Sequence, residues 1–358
     1  MKTKIIVSLI LGAAVSAGAF FLAFQNVPFD DLFAYMGAID YIWIAPSIFF
    51  LAAAFVMRVV RWRAILESAR PLGFWRAFHP TMIAFGLNCL LPARMGEAAR
   101  PLILLKNEKI PLSTTVASVA LERLFDMGFL CLSLALLFFA VDMDPGLDIP
   151  FGPYHLTPDL LKDIAFGMMK LTALIFLGMA LIIIRRTREM GEALIRFLKR
   201  PLDRVFPTLN KKRNRPGPGV LENLGAGFAM IRSFKKISIC LAHTFGVWLF
   251  SALSFYVMSL GSPGIDLTFP EMAASLIIIC FFIALPSVPG FWGIWEAGGV
   301  FALSLFGVSK TQAAGFTLAN HAVQVFPVIA AGMISAAITG TGILKALASK
   351  KESENGPA

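Results

Sequence analysis

The sequence predicts an all-α polytopic membrane protein, with about six full spans and two re-entrant hairpins of opposite orientation forming an inverted repeat. Three observations predict it. Hydrophobic residues make up 57% of the 358-residue chain against 15% charged residues, at a mean hydropathy of +0.74, a balance that a water-soluble fold does not carry. Basic residues gather at alternate ends of the apolar runs, which orients spans. Two runs are also broken alike, at Leu91-Pro92-Ala-Arg94-Met-Gly96-Glu97 and at Leu285-Pro286-Ser-Val-Pro289-Gly290-Phe-Trp-Gly293-Ile-Trp-Glu296. Backbone that leaves the helix at membrane depth must be buried in protein or line a cavity, because lipid offers it no hydrogen bonds. Broken helices in matching places of two halves point to a transporter-type site.

Each element follows from length and charge. Ile5 to Phe24 follows Lys2 and Lys4 and is long enough to span, so it reads as an uncleaved first helix with its N-terminus inside. The next loop carries Asp30, Asp31 and Asp40 without Lys or Arg, which suits the outside. Tyr41 to about Met57 returns to Arg58, Arg61, Arg63, Arg70 and Arg76. Phe78 to Leu91 is too short to cross and has basic residues on both flanks (Arg94, Arg100, Lys106 and Lys109 follow it), which defines the first hairpin. Ser113 to Val141 then crosses to Asp142, Asp144 and Asp148.

The second half inverts this order. Leu160 to Ile184 crosses inward to the basic loop 185–236. Its fourteen Lys or Arg against four Asp or Glu account for the chain's whole formal charge of +10. In that loop Met190, Ala193, Leu194, Phe197 and Leu198 share one helical face, as in a helix lying on an anionic leaflet. Ile237 to Leu260 returns outward. Met272–Leu285 and Phe291–Phe306 form the second hairpin, or two short spans with the same net topology. Thr311 to Thr341 ends inside, before Lys345, Lys350 and Lys351. The chain thus reads as one membrane domain, 1–358, with repeats at 1–141 and 160–342 and both termini cytoplasmic.

Several functions are excluded or left unsupported. No Walker loop, dinucleotide fingerprint, HExxH or GxSxG pattern occurs. Cys89, Cys131, Cys240 and Cys280 lie in apolar runs without ligand spacing and read as buried hydrophobes. No cofactor, metal, catalytic residue or nucleic-acid partner is expected.

The candidate site consists of polar residues that lipid does not tolerate. Glu122 lies about 13 Å along the run that begins at Ser113, near the middle of a ~30 Å core. A charge there costs at least ~2.5–3.5 kcal/mol, so Glu122, Arg123 and Asp126 need partners. They form either a packing cluster or a phosphate clamp. Arg94, Glu97 and Arg100 lie within reach of one another on a helix starting near Ala93, and arginine is the side chain that holds phosphate bidentately. Arg58 and Arg61 read as interfacial anchors or as the entrance for an anionic head group. Glu296, among Trp292 and Trp295, must be paired or protonated. Asn320, His321 and Gln324 are expected to face the cavity, whereas His243 has no assignment.

Four stretches in order, Arg58-Val-Val-Arg61-Trp62, Asn88-x-x-Leu-Pro-Ala-Arg94-Met-Gly96-Glu97-Ala-Ala-Arg100, Glu122-Arg123-Leu-Phe-Asp126 and Pro289-Gly290-Phe-Trp-Gly293-Ile-Trp-Glu296, resemble the lysylphosphatidylglycerol synthase transmembrane-region family, also described as flippase-like or UPF0104 proteins. The resemblance covers nearly the whole chain. The sequence carries no aminoacyl-transferase half, so lysyl transfer is not expected. The resemblance implies a bacterial inner-membrane flippase or transporter for an anionic, phosphate-bearing lipid, either a phospholipid or a polyprenyl-phosphate-linked lipid. Arg94, Arg100 and Arg123 would hold the head group, and Glu97, Glu122, Asp126 and Glu296 would position them or couple protons, with the tails left in lipid. A membrane-embedded transferase, or a non-transporting partner of a lipid-modifying complex, remains the alternative.

Overall fold

A computed structural model of the protein describes residues 2–67, 69–140, 149–151, 154–156, 158–183, 233–285 and 287–340. Most of the basic loop 185–236, the acidic segment at Asp142–Asp148 and the C-terminal lysines fall outside these residues. Among the described residues there are eleven α-helices. These are α1 (Lys2–Phe24), α2 (Phe29–Ala38), α3 (Ile44–Leu66), α4 (Phe74–Leu90), α5 (Ala99–Glu108), α6 (Leu112–Ala140), α7 (Pro158–Ile183), α8 (Phe234–Ser259), α9 (Phe269–Phe282), α10 (Ile294–Ser304) and α11 (Lys310–Ile338). A three-residue β-ribbon, Ile149–Phe151 with Tyr154–Leu156, precedes α7.

The protein is a polytopic helical membrane protein. By length and hydropathy, Tyr41–Leu66, Phe234–Ser259 and Lys310–Ile338 are fit to cross a membrane, and the bent pair α1–α2 makes a fourth candidate. Large apolar side chains such as Phe21, Phe33, Ile42, Phe49 and Phe234 stand exposed around the bundle, as they can where lipid is the solvent.

Two boundaries differ from expectation. The segment after Gln25, read as a loop, contains α2, turned 81° from α1. Pro28 precedes it, Asp30 and Asp31 complement its N-terminal dipole, and it buries Leu32 and Tyr35. Helix α3 does not stop at Met57 but runs on to Leu66, because Val59, Trp62, Ile65 and Leu66 are all buried and Trp62 Nε1 donates to Ser118 Oγ at 3.1 Å. Small residues bring α3 and α8 together: Ser47 Oγ donates to the Ser254 carbonyl at 2.9 Å and Ser254 Oγ to the Ser47 carbonyl at 2.8 Å.

Both expected breaks are present. After α4 the chain turns through a 3₁₀ segment, Pro92–Ala98, before α5. The start of α4 and the end of α5 are tied, since Arg70 donates to the Glu108 carbonyl and Arg76 lies 3.4 Å from the Glu108 carboxylate. The second break, between α9 and α10, turns through Pro289–Phe291. It docks on α1, where Ser16 Oγ accepts from the Val288 amide at 3.0 Å. The two breaks touch each other, and the second also packs on α4.

Candidate functional site

Helix α6 carries the centre of the site. Glu122 and Asp126, one turn apart on it, are 0% and 4% exposed. Arg61, fully buried on α3, reaches both. Its Nη1 donates to Asp126 Oδ1 at 2.6 Å and to Thr244 Oγ1 at 2.9 Å, and its Nη2 donates to Asp126 Oδ2 at 3.1 Å and Glu122 Oε1 at 3.2 Å. Arg100, on α5, donates to the other Glu122 oxygen at 2.5 Å and lies over the rings of Trp62 and Phe85. Trp248 Nε1 on α8 completes the shell of Asp126 at 3.3 Å. Glu122 and Asp126 are therefore each held by a buried arginine.

Two further arginines are not held in this way. Arg123 lies 3.6 Å from Asp126 and 3.9 Å from Glu97, and its buried Nε has no hydrogen-bond partner. Arg58 rests among three aromatic faces, 5.9 Å from Phe55, 5.5 Å from Phe85 and 5.3 Å from Trp248. Among the described residues no carboxylate pairs with it. Arg58 and Arg123 both line a cavity of about 200 Å³, together with Asn88, Glu97, Ser251, Trp295 and Gln324. Among the described residues, four arginines face three carboxylates here.

A second constellation sits at the other break. Glu296 Oε2 accepts from the Gly293 amide at 2.6 Å, and its Oε1 lies 2.6 Å from His321 Nδ1. His321 Nε2 is 2.9 Å from the Gly290 carbonyl oxygen, which can only accept, so Nε2 carries a hydrogen. The short Nδ1–Oε1 contact then contains a second proton, on either the ring or the carboxyl group. The imidazole is stacked on Trp295 at 4.4 Å and tilted against Trp292 at 4.3 Å. Gly293 has φ +87°, and a Cβ there would stand 3.0 Å from the Ser16 carbonyl carbon, so this turn needs glycine for both conformation and space.

The site residues read from the sequence separate into groups. Glu97, Arg58, Arg123 and Gln324 line the cavity. Arg61, expected at an interface or entrance, is instead buried at the centre of the ion-pair cluster. The pairing expected between Glu97 and Arg100 is replaced, because the α-helix begins only at Ala99: Arg100 turns to Glu122, and Glu97 faces Arg123. Arg94 lies on the 3₁₀ turn, and its side chain is outside the described residues. Asn320 and His321 are fully buried behind the cavity wall, with Gln324 Nε2 3.4 Å from Asn320 Oδ1. Thr244, Trp248 and Ser251 were not singled out from the sequence. Their i, i+4, i+7 spacing on an apolar helix is the signal that marks them.

The fold and site together define a class, a helical membrane protein in which two backbone breaks and a buried ion-pair cluster meet at one cavity. The chain belongs to the lysylphosphatidylglycerol synthase transmembrane-region family, whose model matches residues 9–332. It is similar to UPF0104 membrane protein MJ1078 of Methanocaldococcus jannaschii, at 22% identity over 264 residues, covering 72% of this chain and 96% of that relative. These matches assign it to membrane proteins of lipid-related function.

Proposed function

We propose that the protein is a lipid flippase or transporter that moves an anionic, phosphate-bearing lipid, a phospholipid or a polyprenyl-phosphate-linked lipid, across the bacterial inner membrane. One observation carries the reading: among the described residues Arg58 lines the cavity without a paired carboxylate, and Arg123 lines it with only long contacts, 3.6 Å to Asp126 and 3.9 Å to Glu97, while Glu122 and Asp126 are engaged by Arg61 and Arg100. A planar guanidinium without its acid is suited to a phosphate oxygen pair. Glu97, at 3.9 Å from Arg123, would act as the internal anion that a head group displaces on entry and that reclaims the arginine on release.

The architecture supports transport. On this reading 1–141 and 160–342 are inverted repeats with six full spans and two re-entrant hairpins. Some of the packing supports it, since α3 lies on α8, α4 on α11 and α9 on α6, and α3 meets α4 as α8 meets α9. The proton in the Glu296–His321 contact gives directed transport a candidate coupling group at the second break.

Lipid retained through purification tests the head-group role. Arg58→Gln and Arg123→Gln, purified in mild detergent, are expected to lose most of the phosphate-bearing lipid that the parent protein retains. Equal retention by folded variants would remove the phosphate clamp.

A further inference from the structure

We propose that one hydrocarbon chain of the transported lipid lies inside the protein, in an apolar groove between α3, α4 and α11, so that head and chain share one continuous site. The inference rests on the anionic-lipid reading above. It departs from the expectation that the tails remain in bulk lipid.

The cavity at Arg58 and Arg123 does not end at their guanidinium groups. A second space of about 150 Å³ adjoins it, and Leu51, Phe55 and Val328 line both. Every side chain on the wall of this second space is apolar, among them Ile48 and Ala52 of α3, Met82 of α4 and Ala331 of α11. Ordered water needs two to four polar partners, and a polar head group would lose its hydrogen bonds there. A hydrocarbon chain meets both conditions.

Phe55 forms the threshold between the two spaces. Its ring is 5.9 Å from the Arg58 guanidinium and packs edge-on against Phe85 at 5.1 Å. An anion on Arg58 would therefore have its attached chain beside Phe55, at the mouth of the groove. One turn beyond Met82, α4 and α11 meet backbone to backbone, where a Cβ on Gly86 would stand 3.2 Å from the Gly332 Cα. Pro327 sits within α11 on the same wall. Cationic and apolar walls that share three residues fit a single amphiphile better than two separate ligands.

The test uses the full chain in liposomes with phosphatidic acid carrying a mid-chain diazirine, illuminated and mapped by peptide mass spectrometry. Labelling is expected within residues 48–56, 78–82 and 327–331. It should fall about tenfold or more in Arg58→Gln and in the groove-filling variants Ala52→Leu and Ala331→Trp. Melting curves identify any variant that fails to fold, and the milder Ala52→Leu keeps the comparison available. Diacylglycerol with the same diazirine should label the groove at least several-fold less. Equal labelling by diacylglycerol would mean that ordinary surrounding lipid fills the groove, and labelling confined to outer surfaces would mean an empty groove; either result overturns the proposal. Competition by unlabelled polyprenyl phosphate or unlabelled phosphatidic acid shows which hydrocarbon class fits. Groove labelling that needs Arg58 but accompanies no lipid movement would retire transport and keep the bipartite site, whereas Arg58-dependent movement without groove labelling would do the reverse.

Discussion

At the residue scale, Arg61 and Arg58 lie one turn apart on α3 and have opposite surroundings. Arg61 is bound by two carboxylates and Thr244, so Arg61→Ala leaves buried Asp126 without its hydrogen-bonded cation and Glu122 with Arg100 alone, and should cost about 3–5 kcal/mol. Arg58 has aromatic faces instead, and their attraction is offset by the cost of keeping a cation buried without a paired acid, a cost that Arg58→Gln removes. Arg58→Gln should therefore keep a near-parental melting temperature while losing lipid, and equal thermal damage in both variants would make Arg58 structural. Arg123→Ala should abolish lipid movement, and Arg123→Lys should recover little, since a point charge does not reproduce the planar fork; native-rate movement by a folded Arg123→Ala would end its phosphate role. For Glu296 and His321, the double Gln variant should cost less stability than the two single variants combined, by about 0.5–3 kcal/mol in a double-mutant cycle. Simple additivity would mean that their contact is not energetically coupled. Glu122, Arg123 and Asp126 were legible in the sequence because charge inside an apolar run is conspicuous. The difference between Arg58 and Arg61 was not, since it depends on where α6 and α8 dock against α3.

At the element scale, the two breaks were legible because proline and glycine interrupt helices by covalent geometry and backbone freedom. Their pairing partners were not. Arg100 finds Glu122 only because the helix restarts at Ala99, and His321 finds Glu296 across 25 residues of chain. The bend into α2 was missed because its apolar face is only ten residues long. If both broken units are hairpins, their ends return to the face they entered from. In a background lacking the four native cysteines, single cysteines at Ala69 and Lys109 should react with a membrane-impermeant maleimide from the cytoplasmic side. Cysteines at Asp266 and Ser309 should react from the opposite side. Ends of one unit that label from different faces would convert that hairpin into full spans.

At the scale of the whole molecule, the two halves meet where their breaks touch, and both site clusters lie beside that junction. Helix α3 on α8 forms a closely packed seam, fixed by the reciprocal Ser47–Ser254 hydrogen bonds. The cavity opens beside this seam and draws its walls from both halves, α3, α4 and α6 from one and α8, α9, α10 and α11 from the other. Movement of one half against the other would change access to Arg58 and Arg123 without breaking the Arg61–Asp126 pair on α3 and α6. On the proposed reading this arrangement moves an anionic lipid. The most direct measurement is the rate at which purified protein in liposomes transfers head-group-labelled phosphatidylglycerol between leaflets, compared with labelled phosphatidylcholine and with the Arg58→Gln/Arg123→Gln double variant, with and without an imposed pH gradient. The expected result is transfer of the anionic lipid well above protein-free liposomes, weaker transfer of the zwitterionic lipid, and loss in the double variant. Transfer that is absent for every anionic lipid tried, polyprenyl phosphate included, or that is indifferent to head-group charge and to both arginines, would contradict it.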